Sequence, residues 1–172
     1  CRIAAVTGSD GKTTTTSLMA AIYAAAGRTV HLGGNIGRPL LPIVDKIMPE
    51  DMAVVELSSF QLISMRRSPD IAVVTNVTPN HLDHHKDMQE YVDAKRNILL
   101  YQIPESLAVL GYENNNSRAK EKDALGECRY FSRLPQLESE ALPRADGRLC
   151  VAGPRGGTPG GLRAGGAQRG RP

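Results

Sequence analysis

The stretch Val6-Thr7-Gly8-Ser9-Asp10-Gly11-Lys12-Thr13-Thr14 sets two glycines, a lysine and two hydroxyls between an apolar run, Ile3-Ala4-Ala5-Val6, and a helical run that begins near Gly11. That order of strand, glycine loop and helix suits a polyphosphate. Glycines let the backbone come close enough for consecutive N–H groups to point at phosphate oxygens. The N-terminus of the following helix adds partial positive charge at the same place. Gly8, Ser9, Asp10, Gly11, Lys12, Thr13 and Thr14 are therefore the candidate nucleotide-binding residues. Lys12 is placed to reach the β- and γ-phosphates, and the Thr13 hydroxyl to ligate Mg²⁺. The loop is shorter than the ordinary one, because Gly8 and Gly11 enclose only Ser9 and Asp10. Asp10 is an oddity, since an acid in a phosphate cradle repels its ligand. It must point away or cap the helix.

Three further positions could carry chemistry. Glu56 closes the run Met52-Ala53-Val54-Val55. A carboxylate at the end of a buried strand opposite a phosphate loop is a natural Mg²⁺ ligand, directly or through water. His81 lies in Asn80-His81-Leu82-Asp83-His84-His85. A zinc site is not expected there, because no cysteine is near and no helical HExxH spacing exists. His84 and His85 read as surface residues, whereas His81 could ligate a second metal or contact substrate, oriented by Asp83. Lys95 falls on the apolar stripe Met88, Tyr91, Val92 and Leu99 of a helix spanning Asp87 to Tyr101. It either snorkels from the edge of that face or is aimed into a site. A bare ammonium would be repelled by Mg²⁺, so a metal-binding role requires carbamylation by CO₂ to give an anionic oxygen donor.

The elements that must position these residues alternate between strand and helix. Strands are expected at Arg2 to Val6, Thr29 to Leu32, Met52 to Leu57, Ile71 to Asn76 and Leu107 to Leu110, with a sixth at Arg129 to Ser132. Helices are expected at Gly11 to Ala26, with Leu18, Ile22 and Ala25 on one face and Gly27 as its C-cap, at Leu40 to Ile47, and at Asp87 to Tyr101. Ser58-Ser59-Phe60-Gln61 opens a turn or helix, and Asn114-Asn115-Asn116 reads as a loop. The pattern predicts an α/β fold, a mostly parallel sheet with helices on both faces. Ligands of such sheets bind beyond the carboxyl ends of the strands. Gly8 to Thr13, Asn35, Glu56, Asn76 and His81 all fall at that rim.

The 172 residues allow one domain of ordinary size, and 41% hydrophobic residues with 4% aromatics predict an aliphatic core. A net charge of +3 gives no reason to expect nucleic acid as a partner. Cys1, Cys128 and Cys150 lack metal or redox spacing, and a reducing cytoplasm is expected. No apolar run approaches the ~20 residues needed to span a bilayer, and no signal peptide is expected. Residues 1–140 read as the folded domain. Residues 141–172 are rich in Arg, Gly and Pro, and read as a disordered terminus or as sequence outside the native frame. The start at Cys1, within a strand, suggests a piece of something longer.

The motifs together resemble the Mur ligase family. They are Thr7-Gly8-Ser9-Asp10-Gly11-Lys12-Thr13-Thr14, Gly33-Gly34-Asn35-Ile36-Gly37, Glu56-Leu57-Ser58-Ser59-Phe60-Gln61-Leu62, Asn76-Val77-Thr78-Pro79-Asn80-His81-Leu82-Asp83 and Tyr91-Val92-Asp93-Ala94-Lys95. The resemblance covers Arg2 to about Ser132 and is most similar to the members that act on UDP-MurNAc-L-Ala and D-Glu. It implies the P-loop NTPase-like central domain of a bacterial cytoplasmic ligase of peptidoglycan synthesis, with ATP and two Mg²⁺ ions. By position, Lys12 and Thr13 would hold the phosphates and the first metal, with Glu56 as its acidic ligand. His81 and a carbamylated Lys95 would hold the second. Asn35, Ser59 and Gln61 would contact the UDP-muramoyl substrate, and Asn76 would support the loop carrying His81. The family usually has Asn where this chain has Asp10. Its amino- and carboxy-terminal domains would lie outside this sequence, and the fragment alone is expected not to turn over. Rival readings are a sister ligase, such as a folylpolyglutamate synthase or another Mur ligase, and a nucleotide-binding module without catalysis. A GTPase is disfavoured, because no guanine-reading Asn-Lys-x-Asp occurs.

Overall fold

A computed structural model describes residues 1–78 and 86–132, together with the backbone of 150–152. Seven strands form one sheet: β1 (Arg2–Thr7), β2 (Val30–Gly34), β3 (Met52–Glu56), β4 (Ile71–Val74), β5 (Leu107–Gly111), β6 (Glu127–Ser132) and β7 (Cys150–Ala152). Their order is β2-β3-β1-β4-β5-β6-β7. The first six are parallel, and β7 lies antiparallel on β6. The expected sixth strand is therefore present. A short seventh falls within the stretch set apart at 141–172, the rest of which lies outside the described residues.

Successive residues of β1 point to opposite faces, and the core divides accordingly. Ala5 joins Leu57, Leu62, Val74, Tyr91, Ile98, Leu99 and Leu110 on one face. Ala4 joins Ala20, Met52 and Val54 on the other. Helix α1 (Lys12–Ala25) therefore covers one face, and α2 (Ser59–Ile63) with α3 (Met88–Arg96) covers the other. The cores are aliphatic, as the composition requires.

Several elements differ from the expectation, each for a local reason. On α1 the buried residues are Thr16 and Ala20, with Met19 and Tyr23 packed beside them. Leu18 and Ile22 are 59% and 58% exposed. Small side chains let the helix lie close on the sheet, and the bulkier stripe with Ala25 faces away. Leu41–Lys46 is a 3₁₀ turn, with Pro42 in its first positions. The helix expected over Asp87 to Tyr101 is regular only to Arg96, capped at its start by Asp87, whose side chain accepts from Glu90 N–H. The loop expected at 114–116 is instead the start of α4 (Asn115–Arg118), with Asn114 as N-cap.

A 3₁₀ turn at Ala119–Asp123 pins α3 from outside. Asp123 takes a two-pronged contact from Arg96, at 2.9 and 2.8 Å. Lys120, 2% exposed, donates to the carbonyl of Val92 at 2.8 Å. Burial pushes the Lys120 ammonium down from 10.5 to about 8, with Arg96 and Lys122 helping and Asp123 and Asp93 opposing. Between those two values the unfolded chain binds a proton that the folded chain does not, so stability rises with pH. The rise amounts to at most about 3 kcal/mol across the window. Half-buried Cys128, its thiol raised by desolvation to about 11, acts in the opposite sense above about pH 9. Urea midpoints measured from pH 8 to 9 should therefore climb, and Lys120→Met should make the climb shallower, leaving the share of Lys95, whose ammonium burial lowers as well.

Candidate nucleotide and metal site

The site lies at the carboxyl rim, around β1, an inner strand between β3 and β4. Register pairing sets Val6 beside Glu56, so the loop leaving β1 and the carboxylate ending β3 emerge as neighbours. The Thr13 hydroxyl donates to Glu56 Oε2 at 2.8 Å. Asn35, from the loop after β2, donates its Nδ2–H to Glu56 Oε1 at 2.8 Å. Its backbone N–H reaches the Glu56 carbonyl at 2.8 Å. Glu56 is 1% exposed, so its carboxylate is held on both oxygens in a nearly dry place.

The loop has features that suit an anion. Gly11 is the N-cap of α1 at φ 76°, a left-handed conformation that glycine adopts without penalty, and no side chain caps the helix. The N–H groups of Lys12, Thr13 and Thr14 belong to the first turn, which has no partners within a helix. No acidic residue offsets the dipole there. Lys12 Nζ folds back onto the Ser9 carbonyl at 2.8 Å. Asp10 does not cap the helix. It is exposed, and its Oδ2 accepts from Asn76 Nδ2 at 3.3 Å. At Gly8 a Cβ would collide with Thr75 Oγ1. Gly8→Ala should displace the loop, and calorimetry with ADP and Mg²⁺ should show at least about a tenfold loss of binding.

Lys95 does not snorkel. It is 1% exposed, and its Nζ donates to the Gly8 carbonyl at 3.1 Å and to Thr7 Oγ1 at 3.3 Å. The ammonium sits 4.6 Å from the centre of the Tyr91 ring. The Tyr91 hydroxyl shares a 2.9 Å hydrogen bond with Ser9 Oγ, so α3 grips the underside of the loop twice. Burial pushes Lys95 down to about 7, with the charges of Lys12 and Lys120 adding to the effect. Burial likewise raises Tyr91.

The structure thus brings Gly8 to Thr14, Asn35, Glu56, Asn76 and Lys95 to one rim. Asn76 holds the glycine loop directly, through the N–H groups of Ser9 and Asp10. Ser59 is buried, and Gln61 closes a capping box with Ser58, its Oε1 accepting from the Ser58 N–H at 2.9 Å. His81, Asp83, His84 and His85 lie outside the described residues. Thr7 is not singled out by the sequence, yet it is fully buried, donates to the Leu57 carbonyl at 2.8 Å and receives Lys95. No cluster of three or more His, Cys, Asp or Glu side chains occurs among the described residues.

Residues 6–134 match the Mur ligase middle domain. The chain belongs to the Mur ligase family. Among curated family members, the UDP-N-acetylmuramoylalanine–D-glutamate ligase of Clostridium kluyveri is 49% identical over 152 residues. That match covers 88% of this chain and 33% of the relative, so the chain spans about a third of the relative's length. Solved Mur-type folds agree with the architecture. The UDP-N-acetylmuramate:L-alanyl-gamma-D-glutamyl-meso-diaminopimelate ligase from Neisseria meningitides superposes with TM-score 0.61 at 19% identity, covering 88% of this chain and 52% of that one. E. coli FolC, solved in complex with DHPP and ADP, gives 0.51 at 18% identity, covering 76% and 44%. Both likenesses establish the fold. Among the described residues no helix of this Mur ligase chain is long and apolar enough to cross a membrane.

Proposed function

We propose that this chain is the nucleotide-holding part of a ligase that uses ATP to join D-glutamate to UDP-N-acetylmuramoyl-L-alanine, in the cytoplasmic stage of peptidoglycan synthesis. The observation that carries the reading is the meeting of Thr13, Glu56 and Asn35 at an uncapped helix N-terminus, with Lys95 buried beneath the same loop. The likeness to the D-glutamate ligases, at 49% identity, supports the choice of substrates.

The donors fit Mg²⁺. A hydroxyl and a carboxylate 2.8 Å apart are hard oxygen ligands. Thr13 and Glu56 would hold the first ion, which when bound offsets charge on the phosphates. The rest of the work falls to the chain. The amides of the first turn of α1 hold the phosphoryl oxygens, and Lys12 swings from the Ser9 carbonyl to the transferring group. Asn35 keeps the Glu56 carboxylate oriented. The acceptor carboxylate takes the γ-phosphoryl to give an acyl phosphate. The D-Glu amine then attacks the acyl carbon, forming the amide, losing a proton and expelling phosphate.

Lys95 would serve as a carbamate. Its neutral amine adds to CO₂, forming an N–C bond and releasing one proton. At pH 7 a lysine of pKa 10.5 is neutral in roughly one molecule in three thousand, whereas one near 7 is about half neutral. The carbamate and His81 would hold the second Mg²⁺. Asn35, Ser59 and Gln61 are the proposed contacts to the muramoyl substrate. Incubating the full-length protein with ATP, Mg²⁺, UDP-MurNAc-L-Ala and a panel of amino acids tests the assignment. Phosphate release confined to D-Glu is expected. Turnover with another amino acid or a folate acceptor points to a sister ligase, and ADP binding without turnover points to a binding module.

A further inference from the structure

We propose that Asn76 is a positioning residue of the nucleotide loop, matched as donor and acceptor to Asp10, so that the two side chains together set the turn at Ser9–Asp10. Only the binding readout of this proposal rests on the nucleotide reading above.

The first half of the loop is moulded on the segment leaving β4. The Asn76 carboxamide oxygen accepts from Ser9 N–H at 3.1 Å and Asp10 N–H at 2.8 Å. The Asn76 backbone carbonyl takes the Ser9 N–H as well, at 2.8 Å. Thr75 Oγ1 donates to the Asp10 carbonyl at 2.7 Å. Ser9 Oγ donates to the Thr78 carbonyl and accepts from the Thr78 N–H, both at 2.9 Å. The amides of Ser9 and Asp10 are therefore already engaged, and phosphate is left with those of Gly11 to Thr14.

Asn76 also answers the anomaly of an acid in a phosphate cradle. Its Nδ2 donates to Asp10 Oδ2 at 3.3 Å, drawing the carboxylate to the side. An unheld Asp10 would be attracted to the uncapped N-terminus of α1, one residue away, and would occupy the place of the phosphates. The carboxamide supplies both parts from separate atoms, its oxygen accepting from two N–H groups and its nitrogen donating to one carboxylate. The substitution Asn76→Asp keeps the acceptor but confronts Asp10 with a like charge, whereas a further Asp10→Asn restores the match from the other side.

The test is a four-variant cycle on the 172-residue chain, titrated with ADP and Mg²⁺: wild type, Asn76→Asp, Asp10→Asn and the double variant. Asn76→Asp should weaken binding about tenfold or more, and Asp10→Asn in that background should restore it to within about threefold of wild type. Binding by Asn76→Asp equal to wild type would overturn the proposal, as would equal weakening in both backgrounds. Hydrogen exchange supplies a readout without nucleotide. The Asp10 amide should be protected in wild type and lose protection in Asn76→Ala. If wild type fails to bind ADP while that difference persists, the nucleotide reading falls and the positioning stands. Equal Asp10 exchange in the two proteins sinks the positioning itself.

Discussion

Lys95→Ala abolishes ligation when introduced into the full-length protein, with a loss on the order of a hundredfold or more, and a short carboxylic acid in the buffer partly restores it. The expectation follows from where the lysine lies. A side chain 1% exposed, contacting the Gly8 carbonyl and Thr7 Oγ1, is ill suited to remain an ammonium. Removing it opens a slot beneath the loop that a small carboxylate can enter, in place of the proposed carbamate. Under ¹³C-labelled CO₂ the parent protein should show a carbamate signal that the variant lacks. Parent-like activity in Lys95→Ala, without any effect of added acid, removes Lys95 from the chemistry.

Glu56→Gln has the second large effect, and it acts through the metal. The substitution keeps the shape of a residue that is almost wholly buried, and its carbonyl oxygen can still accept from Asn35 Nδ2. It removes the negative charge that a hard dication requires beside Thr13. In the parent, ADP should bind at least about tenfold tighter with Mg²⁺ than with EDTA. In Glu56→Gln the two titrations should coincide. A metal dependence equal to that of the parent would show that the ion is held elsewhere.

The residues that sequence makes legible are those that break a local pattern. Gly8 and Gly11 interrupt a strand–helix junction, Glu56 ends an apolar run with a charge, and Lys95 stands on an apolar stripe. Each violation is visible without knowing any neighbour. Asn76 is different. An asparagine leaving a strand is ordinary, and its hold on Ser9 and Asp10 exists only because β4 pairs with β1, bringing together residues 67 and 66 positions apart. The same holds for Thr7, whose hydroxyl matters through Leu57 and Lys95. On α1, periodicity finds an apolar face at Leu18 and Ile22 but does not register that Thr16 and Ala20 are the better fit to a flat sheet. The cap at Asn114 depends on the Ser117 N–H and on the strand before it, so a polar run that reads as a loop is a helix start.

The inner place of β1, between β3 and β4, shapes how the sheet is made. Of its strands, β1 leaves the ribosome first, and it is flanked by two that emerge about 50 and 70 residues later. At typical translation speeds of about 5–20 residues per second, β1 waits roughly 4–14 seconds for β4. Throughout that interval Ala4, Ala5 and Val6 have at most β3 to pair with. The loop from Gly8 to Thr14 can settle only after that, because its partners Thr75, Asn76, Tyr91 and Lys95 all follow β4 in the chain.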